Sequence, residues 1–209
     1  MKKLISFSFL TVFFVVCCSP VFAQTSRKSA IKQIDLHCKK VETFTRKYKS
    51  PQLIFADTSD YTENSKPKWK KFASEKVLEK FREEKETYSI AYNWRKNDKI
   101  IRSNFTLFSP SGDWAKYVYL YFREDGTLAK AESELKTFYG NFIVLNDIYF
   151  NAKGEILKKT TKYLDLKTEK PRKPSEDDFA NNGDNFKSVE FYKKTDKLPF
   201  AFLLKRQKN

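Results

Sequence analysis

One histidine, His37, stands in 209 residues, and that scarcity removes whole classes of chemistry. Zinc sites built on two histidines are excluded, and little is left for a Ser-His-Asp triad. Five glycines are too few and too evenly spread to form a phosphate-cradling loop. Of three cysteines, two are adjacent at Cys17-Cys18 and the third is Cys38, so the chain has no disulfide framework. After residue 16 no apolar run is long enough to cross a bilayer as a helix.

The one apolar run that is present lies at the start. Lys2 and Lys3 precede Leu4 to Val16, Ser19 and Pro20 break the run, and Val21-Phe22-Ala23 places fitting residues at a cleavage site. About 13 apolar residues suit a secretory signal peptide better than an uncleaved anchor, which needs roughly 20. Val16 and Cys17 stand where a lipoprotein site wants a small residue. The expectation is therefore export, with cleavage after Ala23 and a secreted or periplasmic product. Loss of Lys2 and Lys3 would take the net charge from +15 to +13, and Cys38 would become the sole thiol. The remaining 186 residues are enough for a single domain with a real core.

Gly112, Gly126, Gly140 and Gly154 follow one another at intervals of 14 residues. Counting back reaches Asp98, and counting forward three beats reaches Asp196. Every second beat carries a fuller pattern of an aromatic, a turn residue four positions on, and an aliphatic two further. It reads Trp94, Asp98, Ile100, then Phe122, Gly126, Leu128, then Phe150, Gly154, Ile156, and finally Tyr192, Asp196, Leu198. Each unit describes a β-hairpin tip.

Strand-like runs fill the intervals. Tyr88, Ile90, Tyr92 and Trp94 alternate with Ser89, Ala91 and Asn93, and Tyr117 to Phe122 is apolar or aromatic on both faces, as in a strand covered on both sides. Lys130, Glu132, Glu134 and Lys136 share one face of another run and read as a solvated, charge-balanced outer surface. Strands of ten residues reach about 33 Å. Such length favours a curved sheet.

Upstream, Ile31, Ile34, Cys38, Val41, Thr45 and Tyr48 keep helical spacing and predict an amphipathic helix over 28–49. A second, less regular helix is expected over 67–84 with Pro67 in its first turn, after a loop with a short strand at Leu53-Ile54-Phe55. The predicted fold is α+β and predominantly antiparallel β: N-terminal helices on a long-stranded meander, with a half-barrel or barrel as possible closures. The divisions are a signal peptide (1–23), then a single domain made of a helical part (24–85), a six-strand meander (86–166), a Pro/acidic loop (167–185) and a closing hairpin (186–206).

Residues that could carry chemistry are few. Cys38 sits on the apolar stripe of its helix and reads as a structural thiol. Asp177 and Asp178, with Asn181, Asn182 and Asp184, do not follow the order of an EF-hand loop. No catalytic residue, metal site or cofactor is expected. In Ser109-Pro110-Ser111-Gly112-Asp113-Trp114 the turn has unusual content, and Asp113 and Trp114 are the candidate ligand-binding pair.

Tyr121-Phe122-x-x-x-Gly126-x-Leu128 and Tyr149-Phe150-x-x-x-Gly154-x-Ile156 resemble the tandem hairpins of MORN-like repeat proteins of bacteria. The resemblance covers roughly residues 86–166 and the final hairpin, and it implies no catalytic residue or ligand. From charge, the expected partner is an anionic surface or polymer, such as membrane phosphates or acidic glycans, rather than nucleic acid. The functional expectation is a non-enzymatic interaction protein of the cell envelope or exterior. A carrier of an apolar small molecule or lipid, held between sheet and helices, is the alternative.

Overall fold

The structure, a computed structural model, describes residues 20–60, 65–178 and 191–205. Residues 2–16 of the export segment, residues 179–190 of the acidic loop and the start of the expected closing hairpin lie outside the described residues.

Helix α1 (Pro20–Thr45) is followed by β1 (Leu53–Asp57), β2 (Trp69–Phe72) and helix α2 (Glu75–Glu84). Six strands follow: β3 (Ser89–Lys96), β4 (Lys99–Phe108), β5 (Trp114–Phe122), β6 (Leu128–Thr137), β7 (Phe142–Phe150) and β8 (Ile156–Asp165). A 3-10 turn (Thr195–Lys197) and a short helix α3 (Ala201–Lys205) complete the described chain. The strands form one antiparallel sheet in the order β2-β1-β3-β4-β5-β6-β7-β8. β2 and β8 are its two edges, so the sheet is open and is not closed into a barrel.

The glycine beat marks the turns. Gly112, Gly126, Gly140 and Gly154 all have φ between +76° and +81°, and Asp98 has φ +59°. At the β5–β6 tip, the Gly126 amide donates to the Arg123 carbonyl and the Arg123 amide to the Thr127 carbonyl. The β7–β8 tip repeats this through Gly154, Asn151 and Glu155. The 28-residue repeat has its own cause. Register shifts fall at Trp94/Arg95, Tyr121/Phe122 and Tyr149/Phe150, so the recurring aromatic marks a β-bulge just before each tip. The intervening glycines turn the chain at the opposite end of the sheet.

Both sheet faces are covered at the bulged end. Leu53, Phe55, Phe105, Val118, Leu120, Ala131, Ile148 and Phe150 lie on one face under Leu198, Phe200 and Ala201. There Phe200 stacks on Phe55 with ring centroids 4.2 Å apart. On the other face, Ile34, Cys38 and Val41 of α1 pack on Ile101, Tyr121, Ala129 and Tyr149. Leu78 of α2 packs on Ile54, Ala56 and Ile90 farther along that face.

Three sequence expectations need correction. The 67–84 segment is a strand and a helix, not one helix. Ser74 caps α2 by accepting the Val77 amide, and Trp69 and Phe72 point to opposite sheet faces as strand residues do. The part from 24 to 85 is therefore not purely helical. The described portion of the closing hairpin is not a hairpin, because Lys193 and Thr195 bond to the β5–β6 tip and the chain then coils. Finally, the helix expected over 28–49 runs from Pro20 to Thr45 and ends before Tyr48.

Candidate functional site

The site with the most charge chemistry lies where α1 crosses the sheet. Among the described side chains of α1, Asp35 and Glu42 are the only carboxylates, and both turn to sheet tyrosines. Tyr149 donates to Asp35 at 2.9 Å, and Tyr121 lies within hydrogen-bonding reach of Glu42 at 3.1 Å and of Glu132 at 3.2 Å. The cations go the other way. Lys28, Lys32, Lys39 and Lys40 are exposed, as are Arg46, Lys47 and Lys49 just beyond the helix. Helical spacing puts Lys28, Lys32, Lys39 and Arg46 on one outward stripe. Among the described residues, Arg46 alone of these has a carboxylate within ion-pair distance, Glu42 at 3.9 Å.

Beneath the helix sits Lys130. It pairs with Glu132 at 2.6 Å and Asp147 at 3.3 Å, and lies 4.8 Å from the ring centre of Tyr149. The expected solvated outer face of β6 is covered by the helix at one end only, where Lys130 is 8% exposed, while Lys136 at the other end is exposed. Burial alone would lower its pKa, but the hydrogen bond and charge of Glu132, then Tyr149 and Asp147, hold it well above the usual lysine range. Burial, reinforced by Glu132 and Glu42, raises the Tyr121 phenol above its ordinary value. Burial also pushes the Cys38 thiol up to about 12. Lys130 is therefore held as a cation and Cys38 as a neutral thiol, and neither is an activated nucleophile at neutral pH.

Arg102 is the other residue that the sequence did not single out. Its guanidinium lies 5.3–5.7 Å from the ring centres of Trp94, Tyr119 and Tyr121, and it donates to Asn104 and Thr45. The available signal was the alternation of Tyr117, Tyr119 and Tyr121 on one face. That pattern read as general apolar character, since nothing local says which face a helix will cover.

Asp113 and Trp114 lie at the opposite end of the sheet. Trp114 is half-buried against the cluster of Leu135, Phe142 and Val144. Asp113 accepts from Ser111 and, at 3.3 Å, from Tyr139. The two are neighbours in a tight turn, but the ring packs into the sheet while the carboxylate ties two hairpin tips together. Among the described residues no group of three or more His, Cys, Asp or Glu is placed to hold a metal ion.

Comparison with protein-family models, with curated proteins and with solved structures finds no match to this chain.

Proposed function

We propose that this chain is an exported, non-enzymatic interaction protein whose basic helix α1 faces an anionic surface or polymer at the cell envelope. The charge sorting of α1 carries this reading. Both of its described carboxylates are spent on sheet tyrosines, while its lysines project to solvent in a stripe. A helix fixed by its inner face holds that stripe in register without further ordering cost. The inert states of Cys38 and Lys130 agree with a role that is not catalytic.

Co-sedimentation of the purified chain with phosphatidylglycerol vesicles tests it, with phosphatidylcholine vesicles as the neutral control. Binding is expected only to the anionic vesicles, and it should weaken as salt rises. Each lysine near such a surface is worth about 1 kcal/mol. A Lys28→Gln, Lys32→Gln, Lys39→Gln variant should therefore bind roughly 100-fold more weakly. Equal retention on both vesicle types at low salt would refute the proposal.

The carrier alternative draws on a groove of about 780 Å³ beside the β3–β4 and β5–β6 tips, with Leu53, Ile100, Ala201 and Leu204 in its wall. Its rim also carries Asp98, Glu124, Asp125 and Asp196, which suits an apolar cargo poorly. The core beside it is filled by Phe55, Phe105 and Phe200. Native mass spectrometry showing a co-purified lipid would favour this second reading.

A further inference from the structure

We infer that the cleft between α1 and the β3–β4 hairpin binds a single tetrahedral oxyanion, a phosphate or sulfate group. This rests on the anionic-partner reading and gives it a specific seat, apart from the outward stripe. The cleft holds about 190 Å³. Val41, Phe44 and Ile101 line it with apolar surface, and three lysines, Lys40, Lys96 and Lys99, are also in its lining.

One of these cations is held by a hydrogen bond and a second lies over an aromatic ring. Lys99 Nζ donates to the Glu124 carbonyl at 2.8 Å, and Lys96 Nζ lies 6.0 Å from the Phe44 ring centre. Among the described residues no carboxylate lies within ion-pair distance of Lys40, Lys96 or Lys99. Among the described residues, Glu124 is the single acidic residue in the lining. His37 adds a polar wall, and its Nε2 is engaged by the Phe122 carbonyl at 3.0 Å.

The adjoining larger groove shows that this arrangement is local. It shares Lys99 and Glu124 with the cleft, but adds Asp98, Asp125 and Asp196 against Arg95 alone. The β3–β4 turn sorts its charges, with Asp98 toward that groove and Lys96 toward the helix side. An anion is thus drawn to one side of the turn and repelled from the other. Three ammonium groups act as point charges, which suits an anion with oxygens on several sides better than a planar carboxylate. The volume is below that of pockets for drug-sized ligands, so the site takes a headgroup or a free anion, not an acyl chain.

The test is a backbone NMR titration of the full chain with inorganic phosphate, and separately with phosphatidic acid vesicles. Shift changes at Lys40, Lys96, Asn97 and Lys99 with inorganic phosphate would support a free-anion ligand. The same changes with the vesicles alone would support a lipid headgroup. A Lys40→Gln, Lys96→Gln variant should weaken the affinity about tenfold or more. Both residues are exposed, so the thermal transition should stay in place. A Lys28→Gln, Lys32→Gln control should keep the phosphate response while losing affinity for anionic vesicles. No response at the cleft to either titrant, or full affinity in the Lys40/Lys96 variant, overturns the inference. The surface reading would still stand if anionic vesicles bind.

Discussion

Tyr149 donates its hydroxyl to Asp35 at 2.9 Å, so a tyrosine of β7 holds down a helix residue 114 positions earlier in the chain. A hydrogen bond to a charged acceptor contributes about 1.5–3 kcal/mol when buried, and this partly exposed one sits at the low end. Tyr149→Phe should therefore lower the urea-unfolding free energy by about 1 kcal/mol. The loss should shrink when Asp35 is already Asn, and an undiminished loss in that double-mutant cycle would show that the bond is not what Tyr149 supplies.

Lys130→Met should cost about 2 kcal/mol, because it strands Glu132 and Asp147 on the helix-covered face. Their side chains are 31% and 41% exposed, which keeps the cost below that of a fully buried pair. The folded lysine has a pKa raised above its ordinary 10.5. Its contribution is therefore fully present below that value and fades as pH rises beyond it. Unfolding curves across the alkaline range should show wild type losing stability as pH rises above 10.5. Lys130→Met should show a flatter slope there.

Cys38 is 5% exposed and its thiol is pushed up to about 12. Native protein at neutral pH should react with a thiol reagent only at the rate at which α1 lifts from the sheet. Urea should bring the labelling rate to that of a free cysteine. Rapid labelling of the native protein would mean that α1 does not stay seated on the sheet.

Gly126 and Gly112 share a left-handed backbone, with φ +81° and +76°, but not the same surroundings. A Cβ at Gly112 meets nothing within 4 Å, so Gly112→Ala should cost only the conformational strain of about 1 kcal/mol. At Gly126 the same atom would lie 2.7 Å from Thr195 Oγ1. Gly126→Ala should therefore be the more damaging in thermal melts, and Thr195→Ala should recover the excess. Equal losses at the two glycines would show that the C-terminal segment does not press on the β5–β6 tip.

Much of the meander was legible because its devices are local. The glycine and Asp98 turns, the bulge aromatics and the alternating strands each follow from a few neighbouring residues. The C-terminal segment misled for a physical reason. Leu198, Phe200, Phe202 and Leu204 alternate as strand residues would, yet Phe202 is 51% exposed and Phe200 is buried, as a coiled segment on the sheet requires. Trp69 and Phe72 have helix-like spacing, and the cap at Ser74 was the signal that separates strand from helix. At the site, the lysines of α1 were evident as a basic excess. Their partition was not, since it depends on Tyr121 and Tyr149 accepting the helix from far along the sequence.

Those distant partners also set an order of assembly. In the meander from β3 to β8 each strand pairs with the next, so its contacts form over short loops. α1 instead touches residues as far away as Leu157, 130 positions from Arg27. α1 should therefore complete its seating after the meander has formed. Until β7 and β8 are in place, its apolar underside meets Ile101, Tyr121 and Ala129 but lacks Tyr149 and the Leu157 carbonyl, and refolding should show the sheet signal before Cys38 becomes fully protected.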